Sequence, residues 1–286
     1  MKSILITGAR GFIGSHLVDK LKNKYKISCL DKNNSDLKVK KNFPNVDIVI
    51  HLAAYNSTKD FYNKPLDVVE DNLLPTLNLV RFYQKQKKKP LFIYTGTPEI
   101  FAGATDFFKY KIPTDEKVPM VIDDLENPRW SYATSKGLGE QIIMNSGLKY
   151  IIIRPNNIYG PRQKNHFVDE FMERAKKGNV ELRGWKNTRS WLYIEDFCEA
   201  TYKLMKSKKA VNQIINIGSD EEVRVLDIAR LILGELGIKK AIIKKKAPKG
   251  SVKRRRPDIK KIKRLINWSP KTKLKDGIKK TIDFYK

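Results

Sequence analysis

Cysteine is nearly absent from these 286 residues: Cys29 and Cys198 are the only two, and they stand far apart. Such a pair matches no metal-ligand spacing, so no metal is expected, and buried thiols in a reducing compartment are the default. Long apolar runs are missing as well. No stretch approaches the roughly 18 consecutive apolar residues that a membrane span needs. The N-terminus, MKSILITGAR, lacks the apolar core and small-residue cleavage site of a signal peptide. A soluble, cytoplasmic chain is expected. Acidic residues are also scarce, at 31 against 58 Lys plus Arg, for a net charge of +27. From Lys244 to Lys286 the imbalance is 18 basic residues to three Asp. That field attracts anything carrying phosphate, from a sugar diphosphate to RNA, and by itself names no ligand.

What is present is ordinary globular material, 41% hydrophobic, enough for one large domain or one domain with a smaller companion. Lys2–Thr7 reads as a strand, followed by a Gly-rich turn and an amphipathic helix over Phe12–Leu21. Further strands are expected at Lys26–Leu30, Asp47–Leu52, Leu91–Tyr94 and Tyr150–Arg154. Helices are expected around Asn72–Gln84 and Tyr132–Met144. Strands alternating with helices argue an α/β fold with a doubly wound parallel sheet. Beyond Pro155 the pattern turns irregular. One strand-like run, Gln213–Ile217, is placed to return to the sheet, and two amphipathic pieces follow at Val225–Leu236 and Gly277–Tyr285. With no linker and no repeat, residues 1–160 are expected to form the sheet-bearing domain. Residues 161–286 then form a smaller, interleaved lobe.

Gly8, Gly11 and Gly14 follow the first strand and open the first helix. Without side chains, they let the backbone turn sharply, approach a pyrophosphate and pack helix on strand. The helix N-terminus then meets the negative charge with free N–H groups and its dipole. Asp31 ends the second strand, where a carboxylate accepts from both ribose hydroxyls and repels a 2′-phosphate, which favours NAD. Arg10, inside the loop, is the one residue that speaks for NADP.

Tyr132 and Lys136 lie four residues apart in SYATSK and share a helix face. A nearby ammonium, together with the positive nicotinamide of an oxidised cofactor, would favour the phenolate and bring Tyr132 into range as a base.

At this point the sequence resembles a known family, the extended short-chain dehydrogenases/reductases that include the nucleotide-sugar epimerases and dehydratases. GARGFIG, VIHLAA (49–54), Asn72, FIYTGTPEIF, YATSK, RPNNIYGPR (154–162), NTRSWLYIEDF (187–197), INIGS and RRPDIKKIKRLINWSP match its motifs in order over nearly the whole chain. The resemblance implies a Rossmann-type sheet and a smaller substrate-binding lobe. It implies NAD held by Gly8, Gly11, Phe12, Ile13, Gly14, Asp31, Leu52, Ala53, Ala54 and Asn72, together with Tyr132 and Lys136. It makes Tyr132 the proton acceptor, Lys136 its partner and ribose ligand, and Thr97 the residue orienting the sugar hydroxyl. Asn157 touches the sugar or first phosphate, and Arg189 with one arginine of Arg254–Arg256, taken as Arg255, grips the diphosphate. A homodimer through the two helices Asn72–Gln84 and Tyr132–Met144 is the family expectation.

Family members begin alike: Tyr132 takes the C4 hydroxyl proton while hydride leaves C4, giving a 4-keto sugar. An epimerase returns the hydride to the other face, and that is the expectation here. The alternatives are a 4,6-dehydratase or a UDP-glucuronate decarboxylase, both of which would use Glu99 in Thr97-Pro98-Glu99. Pro98 removes the acid many dehydratases carry. Two departures from the pattern stand out. Only about fifteen residues separate Asp31 from Asp47, so the usual third strand is reduced to Asp36-Leu37 or missing. Phe101–Gly103 replaces the usual Tyr-Gly beside the sugar. A rival of another class is an RNA-binding relative of the fold. It has no need of Thr97, Tyr132 and Lys136, and the chain lacks a compact aromatic-plus-basic stacking platform.

Overall fold

The computed structural model describes residues 1–247 and 251–286; the three between belong to the expected second lobe and lie outside the described residues. Apolar runs with no polar alternation bury both faces of a strand, which is the signature of a parallel sheet under helices. Ile4, Leu5 and Ile6 are fully buried, as are Ile151, Ile152 and Ile153. The strands are β1 (Ser3–Thr7), β2 (Lys26–Leu30), β3 (Ile48–His51), β4 (Leu91–Thr95) and β5 (Tyr150–Pro155). With the returning strand Gln213–Ile217 they form one six-stranded sheet, in the order Gln213–Ile217, β5, β4, β3, β1, β2. Every pairing is parallel.

Two helical layers cover the sheet. α1 (Phe12–Leu21) and α7 (Ile194–Lys206) pack together on the face carrying Ile4, Ile6, Ile50, Ile93 and Ile153. α3 (Pro65–Gln84) and α5 (Trp130–Met144) pack on each other over Leu5, Val49, Phe92, Tyr94 and Ile152. α3 begins seven residues before the expected Asn72, because Pro65 takes the first helical position, where its missing N–H costs nothing. The short helices α2 (Thr58–Asn63) and α4 (Phe101–Phe107) lie between these in the chain, and the C-terminal part adds α6 (Phe167–Lys176), α8 (Val225–Glu235), α9 (Lys260–Ile266) and α10 (Leu274–Phe284). It also has short ladders, among them Thr188–Arg189 beside Arg254–Arg255.

No strand forms between β2 and β3 among these residues. Leu37, Phe43 and Val46 instead bury against α3, and Asn78 donates to the carbonyls of Leu37 and Lys38 at 3.0 and 2.7 Å. β2 is therefore the edge of the sheet, and the short connection is tied down by a helix rather than by strand pairing.

His51, 1% exposed at the end of β3, joins three elements. The Thr76 hydroxyl donates to the Asn72 carbonyl at 2.9 Å, so it accepts from His51 Nε2–H at 3.0 Å. Nδ1 then accepts from the Thr7 hydroxyl at 2.6 Å. Burial, with help from Lys136, pushes this imidazole down to about 3. Folded His51 thus stays neutral in mild acid, while in the unfolded chain it protonates near 6.5. Stability from this group is complete above about pH 6.5 and is lost as pH falls below it. Between pH 7 and 5 the loss is about 2 kcal/mol. Urea unfolding of His51→Gln over this range is expected to show a pH slope flatter than the native one by that amount.

Candidate active site

A cleft of ≈ 1130 Å³ runs along the C-terminal ends of the strands. It begins at the first turn. β1 stops at Thr7, Gly8 turns at φ +68°, and α1 starts at Phe12 with no side-chain cap and no acid in its first turn. The N–H groups at that end are thus left for a ligand. A Cβ on Gly14 would stand 2.0 Å from the Gly8 carbonyl oxygen, so only hydrogen fits between helix and turn. Asp31 lies across this turn: its two oxygens accept from the backbone N–H of Arg10 at 2.9 Å and of Lys32 at 2.8 Å. Arg10 meets Asp31 through its main chain, which fixes the carboxylate at the edge of the turn. Leu52, Ala53 and Ala54 line the opposite wall. This bare-backbone cradle with a carboxylate at its edge fits a nicotinamide dinucleotide.

Asn72, expected to help hold the dinucleotide, stands behind the cleft wall. It is 1% exposed and does not line the cleft. Its amide accepts from Tyr55 N–H at 2.8 Å and donates to the Tyr55 carbonyl and to Ser135 Oγ. It braces the wall from behind, tying the loop after Ala54 to α5.

At the other end, Thr97, Tyr132 and Lys136 converge. Thr97 follows β4, is 3% exposed and accepts the Glu99 N–H at 3.2 Å. Tyr132 and Lys136 project from α5 one turn apart. The Lys136 ammonium, buried 4.1 Å from the Tyr94 ring centre, is pushed down to about 7 by desolvation. Burial drives the Tyr132 phenol up to about 12, hydrogen bonding with Thr97 draws it back, and Glu99 opposes ionisation. In the protein alone, burial therefore outweighs the help expected from Lys136. The phenolate needs further positive charge beside it.

Two neighbours carry no signal in the sequence. Phe61, on α2 (Thr58–Asn63), stacks on the Tyr132 ring at 4.7 Å and 9°. Arg129, three residues before Tyr132, binds Glu99 at 2.9 Å, and Arg255 binds the other Glu99 oxygen at 2.8 Å. Burial raises the Glu99 carboxyl, but Arg255 and Arg129 outweigh it and hold it down to about 2. Glu99 is thus an ion-paired carboxylate held between two arginines.

The ladder beside Thr188–Arg189 separates the three tail arginines. Arg255, 8% exposed, faces the cleft next to Arg189, whereas Arg254 turns outward to Glu222 at 2.8 Å. Arg189 is pushed down to about 9, by burial first and then by Arg255. Arg129, Arg189 and Arg255 gather around Glu99 and Asp106, which leaves a surplus of positive charge. Asn157 also lines the cleft, donating to the Ser190 carbonyl at 2.8 Å.

Comparison with known proteins agrees with this geometry. The profile of the NAD dependent epimerase/dehydratase family matches residues 4–218. A Methanocaldococcus jannaschii protein, provisionally named a UDP-glucose 4-epimerase, is 32% identical over 99% of this chain and 98% of its own length. A Bacillus cytotoxicus UDP-N-acetyl-alpha-D-glucosaminuronate decarboxylase is 31% identical over 100% of this chain and 98% of its own. The Thermotoga maritima UDP-glucose 4-epimerase, solved with UDP-glucose, superposes with a TM-score of 0.87 at 27% identity, covering 99% and 98% of the two chains.

Proposed function

The chain belongs to the NAD-dependent epimerase/dehydratase family, and on that premise we propose that it is a UDP-sugar epimerase working through a 4-keto intermediate. The observation that carries this is the Glu99 ion pair. A carboxyl held at about 2 by Arg129 and Arg255 is a poor proton acceptor near neutral pH, and a dehydratase needs one there. Pro98 offers no acid either. What remains at the sugar end is the set an epimerase requires: Thr97, Tyr132 and Lys136.

In this reading Thr97 orients the sugar C4 hydroxyl, and Tyr132 takes its proton and later returns it. Lys136 holds the nicotinamide ribose and favours the phenolate, and Phe61 keeps water from one face of the Tyr132 ring. Arg189 and Arg255 grip the diphosphate through charge-assisted bonds. Asn157 supports the neighbouring sugar or phosphate. NAD, when bound, supplies the hydride acceptor and a positive charge beside Tyr132. The rest of residues 161–286 serves the sugar nucleotide, and residues 1–160 with strand Gln213–Ile217 serve the dinucleotide. We place the protein in the cytoplasm as a homodimer. Leu74 on α3 and Leu138 on α5 stay 38% and 40% exposed and would be covered by a second copy.

The test is incubation with UDP-, dTDP- and GDP-sugars, including a uronic acid, followed by product mass and chromatography. Unchanged mass with a shifted peak is the expected result. Glu99→Gln is then expected to keep kcat within about tenfold, because a lost general base costs about 10²–10⁴. Loss of carbon dioxide from the uronic acid would install the second reading, a nucleotide-sugar decarboxylase. The likeness to a UDP-N-acetyl-alpha-D-glucosaminuronate decarboxylase supports that reading next. In that case Glu99→Gln should cost far more than tenfold.

A further inference from the structure

The adenosine end of the cleft carries an arrangement that none of the chemistry above uses. Directly after Asp31, Lys32 reaches across to α3 and binds Asp71 Oδ2 at 2.5 Å. Lys38, on the connection that replaces a strand, binds Asp71 Oδ1 at 3.0 Å. Both lysines and Asp71 line the cleft. Asp71 keeps only 9% of its side chain exposed, whereas Lys32 is 75% exposed and Lys38 33%. Glu70 stands 4.0 Å from Lys38, and the Lys32 ammonium sits 5.0 Å from the Tyr55 ring centre. Arg10, Lys59, Asp31 and Asp36 complete the charged lining at this end.

Two ammonium groups lining the same cleft as Asp31 are what a 2′-phosphate would seek. Here both are spent on one half-buried aspartate. We propose that Asp71 is a cofactor-specificity residue: it sequesters Lys32 and Lys38, so that the cleft takes NAD and refuses NADP. Asp31 repels the 2′-phosphate directly, and Asp71 removes the cations that would compensate. The pairing also carries the chain from the end of β2 over to α3, closing the adenosine end where the sheet has no further strand. The inference rests on the reading of this cleft as a dinucleotide site.

The experiment is direct titration of the folded protein with NAD and with NADP, without sugar, for native chain and Asp71→Asn. The native chain is expected to bind NAD and to bind NADP far more weakly. Asp71→Asn is expected to bind NADP at least about tenfold more tightly, with NAD changed by less than about threefold, since two freed ammonium groups then face the phosphate. The gain should shrink as salt rises. Adding Lys32→Gln and Lys38→Gln to Asp71→Asn should abolish it. NADP affinity unchanged in Asp71→Asn, or both dinucleotides weakened in parallel, overturns the proposal. Should Asp71→Asn fail to fold, Lys32→Gln/Lys38→Gln in the native background decides. NADP affinity unchanged supports sequestration, and a fall of more than about threefold shows that the lysines already serve the phosphate. If neither dinucleotide binds the folded native chain, the fault lies with the reading of the cleft and not with Asp71.

Discussion

Tyr132→Phe is expected to lower kcat by about 10²–10⁴-fold, the usual contribution of a positioned general base. The ring is retained, so its stack on Phe61 at 4.7 Å and its place on α5 should persist. Sugar-nucleotide KM and dinucleotide affinity should therefore move little, and the loss should sit almost wholly in kcat. Steady-state kinetics beside a dinucleotide titration separates these terms. An activity within a few-fold of native would mean another group takes the proton. The same substitution leaves Lys136 buried with its ammonium near Tyr94, so folding is not at stake.

Gly14→Ala acts at the other end of the cleft and by a different cause. Its Cβ would lie 2.0 Å from the Gly8 carbonyl oxygen and 2.8 Å from Ala9 Cα, both rigid backbone. No side chain can swing away to make room. α1 must withdraw from β1, which opens the cradle and disturbs the contacts of Leu17 and Leu21 in the core. Overpacking of this kind costs about 1–3 kcal/mol, with the upper half expected where both partners are main chain. Dinucleotide affinity should fall by more than about 100-fold, since the N–H groups that would face a pyrophosphate are displaced. Chemical unfolding gives the first quantity and titration the second. Native-like values of both would show that the turn has slack.

These two sites were legible in the sequence because each is local. Strand, turn and helix are contiguous around Gly8–Gly14, and Tyr132 and Lys136 are one helical turn apart. The alternation of strands likewise announced the parallel sheet, and the short interval from Asp31 to Asp47 announced the missing strand. What stayed hidden depends on chain brought from far away. Phe61 lies 71 positions from Tyr132, and Arg255 lies 156 from Glu99. No periodicity or spacing carries such pairs. Asn72 was legible as a special residue but not in its job, because its two loop contacts and Ser135 come together only after folding. Among Arg254, Arg255 and Arg256 only the pairing with Thr188–Arg189 decides which side chain enters the cleft. The burial that opposes the Tyr132 phenolate stayed hidden for another reason. Spacing says that two groups are near, but not how much water they lose.

The place of strand Gln213–Ile217 bears on how the chain is made. It pairs with β5 only after an excursion of nearly sixty residues through the second half. Until it arrives, β5 offers a row of open N–H and C=O groups flanked by Ile151, Ile152 and Ile153, the kind of edge that recruits a foreign strand. A nascent chain that has just emerged past residue 160 is thus a hazard rather than a finished module, and its safety depends on how quickly the ribosome delivers the remainder.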